Sequence, residues 1–199
     1  MKKIIIAIAA TLLSTSALAN TVSLQNASFE VNTVGNWYDY GNVAAGWSFT
    51  GGGAVSHNGT PWYGNTASGD YFAVLQNIAS ISQTFSNSSA ASYTITFDMA
   101  LRPYYSTGQV VSVSLDGHSL GNYDAASTGW NSFSTSAITL AAGSHTLTFS
   151  GLNPHNAYDT SAFIDNVGMN VAAVPEPETY AMLLAGLGLV AGAARRRKA

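Results

Sequence analysis

The sequence predicts an all-β protein, a two-sheet antiparallel sandwich, and three observations predict it. Apolar and polar residues alternate with period two in several separate stretches, the pattern of strands buried on one face. Gly and Asn punctuate the gaps, where tight turns need them. Between Asn20 and Ala173 no stretch carries a helical apolar period. About nine short strands with frequent turns suit two packed sheets.

In chain order, residues 22–25 and 47–50 are the first strand candidates, followed by 71–76 and 80–85. The clearest alternation comes next: Tyr93, Ile95, Phe97, Met99 and Leu101 interleave with Thr94, Thr96, Asp98, Ala100 and Arg102. Val111, Val113 and Leu115 interleave with Ser112, Ser114 and Asp116, and Asp116-Gly117 is a hairpin-turn signal. Residues 131–139 read as one strand. His145, Leu147 and Phe149 interleave with Thr146, Thr148 and Ser150, and 162–171 closes the body. There is no internal repeat, and no regular Thr array of the kind a flat ice-binding face needs.

Both ends differ from this body. Lys2 and Lys3 precede an apolar run from Ile4 to Ala10, and Ala17-Leu18-Ala19 is a small-residue cleavage site. Residues 1–19 therefore read as a secretory signal peptide rather than an uncleaved anchor, with Asn20 the mature N-terminus. At the other end, a linker from Val171 to Pro177 leads into an uncharged stretch from Thr179 to Ala194, then Arg195, Arg196, Arg197 and Lys198. A helix over 179–194 reaches about 24 Å at ~1.5 Å per residue, short of a ~30 Å hydrocarbon core. Snorkelling Arg side chains and local thinning close that gap, and the basic run stays cytoplasmic. The division is thus 1–19, a domain over 20–173, and a tail over 174–199. A body of about 150 residues is long enough for one full core.

Of the seven Lys and Arg residues only Arg102 lies in the body, against eight acids: Glu30, Asp39, Asp70, Asp98, Asp116, Asp124, Asp159 and Asp165. One against eight is a net charge of −7, which excludes a basic nucleic-acid footprint. Such acidity suits solubility at a cell surface or the binding of a divalent cation. There is no Cys, so the fold does not rely on disulfides.

With its Pro175-Glu176-Pro177 signature, apolar helix and basic end in that order, the tail resembles the PEP-CTERM sorting signal of Gram-negative bacteria. The same segment has also been labelled an ice-binding protein C-terminal domain. The resemblance implies a transient membrane anchor, cleavage near the signature by an exosortase, and export to the envelope, cell surface or extracellular matrix. It further implies an association with exopolysaccharide. The body resembles galactose-binding-like jelly rolls, among them many carbohydrate-binding modules. Asn26-Ala27-Ser28-Phe29-Glu30 is similar to their N-x-x-F-E opening, and Gly46-Trp47 to the following G-W. Ile81-Ser82-Gln83 and Tyr93-Thr94-Ile95-Thr96-Phe97 are similar to the middle strands, and Phe163-Ile164-Asp165-Asn166-Val167 to the closing one. The expected fold is therefore a jelly-roll-like sandwich.

Two groups of site candidates follow. If the closing alternation is unbroken, Phe163, Asp165, Val167, Met169 and Val171 share a core face, where a carboxylate costs several kcal/mol unless paired or metal-bound. In the resembled modules, acids matching Glu30 and Asp165 help hold one structural Ca²⁺ with backbone carbonyls. The alternative is a hydrogen-bonded Asp165 at a bulge beside Asn166 that flips the pattern. The second group is a saccharide face. Asp98, Arg102 and Tyr104 fall on the polar side of one long strand, and Trp62, Tyr63 and Tyr105 add loop-borne rings, beside Trp37, Tyr38 and Tyr40. Charged groups hydrogen-bond sugar hydroxyls and rings stack on sugar C–H faces; the alternative is a surface Asp98–Arg102 pair with the rings capping the core. Trp47 and Trp130 read as packing residues.

His57, His118, His145 and His155 show no ligand spacing, with His57 and His155 in loops. No nucleophile elbow, H-E-x-x-H or phosphate loop is present, so the expectation is a non-enzyme. The function expected is an exported, exosortase-sorted surface or matrix protein associated with exopolysaccharide through a weak saccharide-binding face. A purely structural matrix protein without ligand and a polysaccharide-acting enzyme are the alternatives.

Overall fold

The computed structural model describes residues 22–59, 61–104, 108–172 and 182–190. Its alternating segments pair into two antiparallel sheets. The strands are β1 (Tyr38–Tyr40), β2 (Ser48–Thr50), β3 (Gly53–His57), β4 (Tyr71–Gln76), β5 (Ser80–Asn87) and β6 (Ala91–Leu101). They continue as β7 (Val110–Leu115), β8 (His118–Asp124), β9 (Asn131–Ser134), β10 (Ile138–Leu140), β11 (Gly143–Gly151) and β12 (Ser161–Ala172). One sheet runs β1-β3-β4-β12-β6-β10, with β9 also on β6; the other runs β2-β5-β11-β7-β8. The hydrophobic core lies between them, built on Phe29, Trp47, Leu75, Ile81, Ile95, Phe97, Val113, Leu147, Phe149 and Ile164.

Asp116 and Gly117 both have positive φ, 52° and 79°, which makes the β7–β8 connection the tight hairpin that its Asp-Gly pair signals. The outward residues of the five-stranded sheet are hydroxyls in register: Thr50, Ser80, Ser150 and Ser112 form one row, and Ser48, Ser82, Thr148 and Ser114 the next. That face is solvated, so its strands alternate cleanly.

Three expectations are corrected. Residues 22–25 form no strand; instead the Gln83 side chain satisfies this segment, donating to the Gln25 carbonyl at 2.8 Å and accepting the Gln25 amide at 2.7 Å. Residues 131–139 are two short strands, because the chain crosses from β9 to β10 at Thr135, whose amide donates to the Ile95 carbonyl at 2.9 Å. β12 runs on to Ala172, so the linker does not begin at Val171. Strands β1, β3 and β8 escaped the sequence pattern.

The signal peptide and the signature Pro175, Glu176, Pro177 with Arg195, Arg196 and Arg197 lie outside the described residues. Within the expected 179–194 helix, residues 182–190 are helical. Among the described residues no helix is long and apolar enough to cross a membrane.

Candidate functional site

The outer face of the larger sheet positions the candidates. Cross-strand partners share a face, so Tyr40, Ala54, Val74, Phe163 and Ala100 lie in one row across five strands. Asp165, Asp98 and Ser132 form another. The loop after β3 folds back over this face. Trp62 packs with Ala54, Phe72, Val74, Ala100 and Phe163 into a second apolar cluster. Gly64 lies so close to Phe72 and Phe163 that a Cβ would stand 2.7 Å and 2.6 Å from their rings. The Trp130 indole donates to the Asn65 carbonyl at 2.5 Å and seals the margin.

Two carboxylates clamp the far end of that loop. Asp165 Oδ2 accepts the Ala67 and Ser68 amides, each at 3.0 Å, while Oδ1 accepts the Asn166 amide at 2.7 Å. Glu30 Oε1 accepts the Asp70 and Tyr71 amides, each at 2.9 Å. The opening turn holds Glu30 in place: Phe29 adopts φ 60°, and the Asn26 side chain grips Val31 in both directions at 2.9 Å. The Trp47 indole donates to the Asn26 carbonyl at 3.0 Å, so the opening turn and Gly46-Trp47 are one unit.

Asp165 is fully buried. Burial pushes its carboxyl up to about 6; the Ser68, Asn166 and Ala67 amides pull the other way and the nearby Glu30 charge adds to the rise. A bulge between Asp165 and Gly168, with Asn166 at φ 49°, breaks the alternation of β12. Phe163 and Asp165 therefore face outward under the loop, while Val167, Met169 and Val171 face the main core. The single-face expectation was wrong, and the bulge beside Asn166 is the arrangement found.

The predicted Asp98–Arg102 pair does not form. Asp98 instead accepts from Ser132 Oγ at 2.6 Å and Asn166 Nδ2 at 2.8 Å. β6 ends at Leu101, so Arg102 and Tyr104 leave the polar side of the strand. Arg102 turns over the Trp62 ring and pairs with Asp159 at 2.8 Å. Asp159 accepts from Gln76, whose Oε1 accepts the Tyr40 hydroxyl at 3.2 Å. Trp62 is only 3% exposed, so it cannot stack on a ligand, and it serves as the floor of this network. Above it stand the exposed rings. Tyr38 and Tyr40 meet Trp62 edge-on at 5.7 and 6.2 Å, and Tyr63 meets Tyr104 edge-on at 5.5 Å. Tyr63 and Tyr104 have φ of 60° and 70°, a left-handed backbone that is an outlier for bulky residues and collects at functional loops. Tyr105 lies outside the described residues. Asp159 and Gln76 were missed, since neither stands in a recognisable spacing.

Residues 22–170 match the family described as "Protein of unknown function (DUF642)". The chain belongs to the DUF642 family. This DUF642 chain also carries the PEP-CTERM protein-sorting motif at residues 173–198. No curated protein matches it. Among solved structures it is similar to TmCBM61 in complex with beta-1,4-galactotriose, at 18% identity over 76% of this chain and 99% of that one, TM-score 0.51. It is similar to the CBM22-1 xylan-binding domain from Paenibacillus barcinonensis, at 14% identity over 80% and 99%, TM-score 0.55. A cyclase from Fischerella sp. TAU is also similar, at 15% identity over 78% and 98%, TM-score 0.54. At these identities the likeness is one of fold, the two-sheet jelly roll.

Proposed function

We propose that this DUF642 protein is exported, processed at its PEP-CTERM tail by an exosortase, and displayed on the surface or in the matrix. There it binds a neutral exopolysaccharide through the ring cluster around Arg102. The observation that carries the reading is the Tyr63–Tyr104 pair: two exposed rings from separate loops, both on left-handed backbone, beside a polar network of Arg102, Asp159, Gln76 and Tyr40. Rings supply flat apolar surface for sugar C–H faces, and the network supplies donors and acceptors for hydroxyls. A neutral ligand suits a body of net charge −7 whose single basic residue is already engaged by Asp159.

Glu30 and Asp165 also fit one structural Ca²⁺. Their oxygens are hard donors, they are near enough for the Glu30 charge to act on Asp165, and among the described residues no hydrogen bond reaches Glu30 Oε2. The ion would compensate two carboxylates that no basic side chain answers. Its role would be to fasten the loop after β3, on which Trp62 and Tyr63 stand.

Retention of the full chain, kept in detergent, on immobilised xylan, β-1,4-galactan and alginate tests the saccharide reading. Retention on a neutral polymer should fall at least tenfold when Tyr63 and Tyr104 are both replaced by Ala. No retention on any of the three would leave a structural matrix protein without ligand.

A further inference from the structure

We propose a second saccharide cleft on this chain, separate from the ring cluster and lined by Asn36, Trp37, His57 and Tyr71, that takes one residue of a neutral polysaccharide. Trp37 immediately precedes β1, and its carbonyl accepts the His57 amide at 2.8 Å, extending the β1–β3 pairing by one residue. Side chains alternate along an extended strand, so Trp37 projects away from the side on which Tyr38 and Tyr40 meet Trp62. It contacts instead the His57 ring at 6.0 Å, and His57 contacts Tyr71 at 5.1 Å, both nearly perpendicular. The shallow, open cleft beside them measures about 370 Å³.

Trp37 is 56% exposed, whereas Trp47 and Trp62 are each 3% exposed. A large flat ring left in water beside a cleft is the usual surface for a sugar C–H face. The polar tips are set for hydroxyls. His57 Nδ1 lies 3.0 Å from the Asn58 carbonyl, which can only accept, so Nδ1 is the donor in that contact and Nε2 is left to hydrogen-bond a hydroxyl. The Asn36 amide both donates and accepts, as does the Tyr71 hydroxyl. The surroundings select against an acidic sugar: Glu30 accepts the Tyr71 amide, Asp70 precedes it in the chain, and Asp39 accepts the Gly35 amide. No Lys or Arg of the body other than Arg102 exists to answer a uronate.

The inference rests on the proposed function for its choice of polysaccharide as partner, but the cleft is independent of the ring cluster. Two such sites on opposite sides of β1 would let one chain hold two polysaccharide strands, which is what a matrix cross-linker requires. Trp37 is itself the probe, because acrylamide quenches exposed indoles first. Quenching of the full chain in detergent is measured with and without xylohexaose, cellohexaose and β-1,4-galactotriose. At least one sugar should lower the quenching slope about twofold or more. That protection should persist in Tyr104→Ala and weaken at least fivefold in affinity in His57→Leu. Protection that disappears in Tyr104→Ala would overturn the proposal, since Trp37 would then only report binding at the ring cluster. Unprotected Trp37 in a protein still retained on xylan or galactan would overturn it while leaving the ring cluster standing. Absence of both protection and retention would overturn the two together.

Discussion

The Arg102 guanidinium carbon lies 4.3 Å from the centre of the Trp62 ring, while Arg102 Nη1 is 2.8 Å from Asp159 Oδ2. One cation thus fastens two loops, that after β3 and that before β12, to the end of β6. Removing it leaves Asp159 partly buried without its counter-charge and uncovers Trp62. Arg102→Ala should cost about 2–4 kcal/mol, and Arg102→Lys much of the same, because an ammonium cannot lie flat on the indole while it reaches the Asp159 carboxylate. For a domain of this size that is a fall of roughly 5–15 °C in melting temperature. A melt of Arg102→Ala within a degree of the parent would show that the stack does not hold the loops.

Gly64 is required for a different reason. A methyl group there meets Phe163 at 2.6 Å and Phe72 at 2.7 Å, both ring atoms fixed in a packed cluster. Gly64→Ala should destabilise by about 1–3 kcal/mol through overpacking. Gly129→Ala, where the nearest atom is Ser127 Oγ at 4.0 Å, should stay within about 0.5 kcal/mol. Equal denaturation midpoints for the two variants would mean that the loop does not rest on the sheet.

The strands that the sequence made legible are those with one dry and one wet face. β5, β6, β7 and β11 alternate because the core is on one side and solvent on the other. β3 and most of β4 are buried on both faces, since the Trp62 loop covers the outer one, so period two disappears there. Asp165 was singled out for the right reason, a carboxylate out of water, but on the wrong face, because a bulge shifts every later residue of β12. Arg102 was paired with the wrong acid: Asp98 is near in sequence, whereas Asp159 arrives from a loop that no local pattern announces.

His145 predicts a pH dependence. Its Nδ1 is 2.6 Å from Asp116 and its Nε2 is 3.0 Å from the Ala141 carbonyl, two acceptors that only the doubly protonated ring satisfies. The Asp116 hydrogen bond, opposed by burial and aided by Ala141, raises His145 above its ordinary value. Burial works upward on Asp116, but the His145 and Thr146 hydrogen bonds outweigh it and leave that carboxyl lowered. The raised imidazole contributes stability that is complete below about pH 6.5 and is lost as pH rises through its folded value. The lowered carboxyl contributes stability that is complete above about pH 4 and is lost as pH falls. The pair thus supports the fold most between those limits. Being largely solvent-screened, it should contribute no more than about 1 kcal/mol. Melting curves of His145→Gln should differ from the parent by a degree or two at pH 5.5 and converge by pH 9; a constant difference would exclude titration as the cause.

The PEP-CTERM motif at 173–198 predicts the mass of the displayed protein. In a host with an active exosortase, intact-mass measurement of the surface fraction should show loss of residues 179–199. Recovery of the full-length tail in that fraction would refute processing.

Calcium should stabilise this domain through Glu30 and Asp165. Binding to the native state alone adds RT ln(1 + [L]/Kd), about 2.7 kcal/mol at a hundredfold excess over Kd. At ~2–4 °C per kcal/mol, chelator should lower the melting temperature by roughly 5–11 °C and calcium should restore it. Asp165→Asn should abolish most of that response, since the amide brings no charge to the ion. It should also lower the metal-free melting point, because an Asn side chain has one acceptor oxygen where three backbone amides now converge. The control must lie elsewhere: Asp98 is the cross-strand partner of Asp165 and shares Asn166 with it. Asp124, exposed on β8 at the far edge of the other sheet, is the suitable choice, and Asp124→Asn should keep the full calcium response. A chelator shift of less than a degree in calcium-loaded protein would sink the metal site. Asp165 and Glu30 would then accept five backbone amides and no cation, and the loop after β3 would be held by hydrogen bonds without an ion.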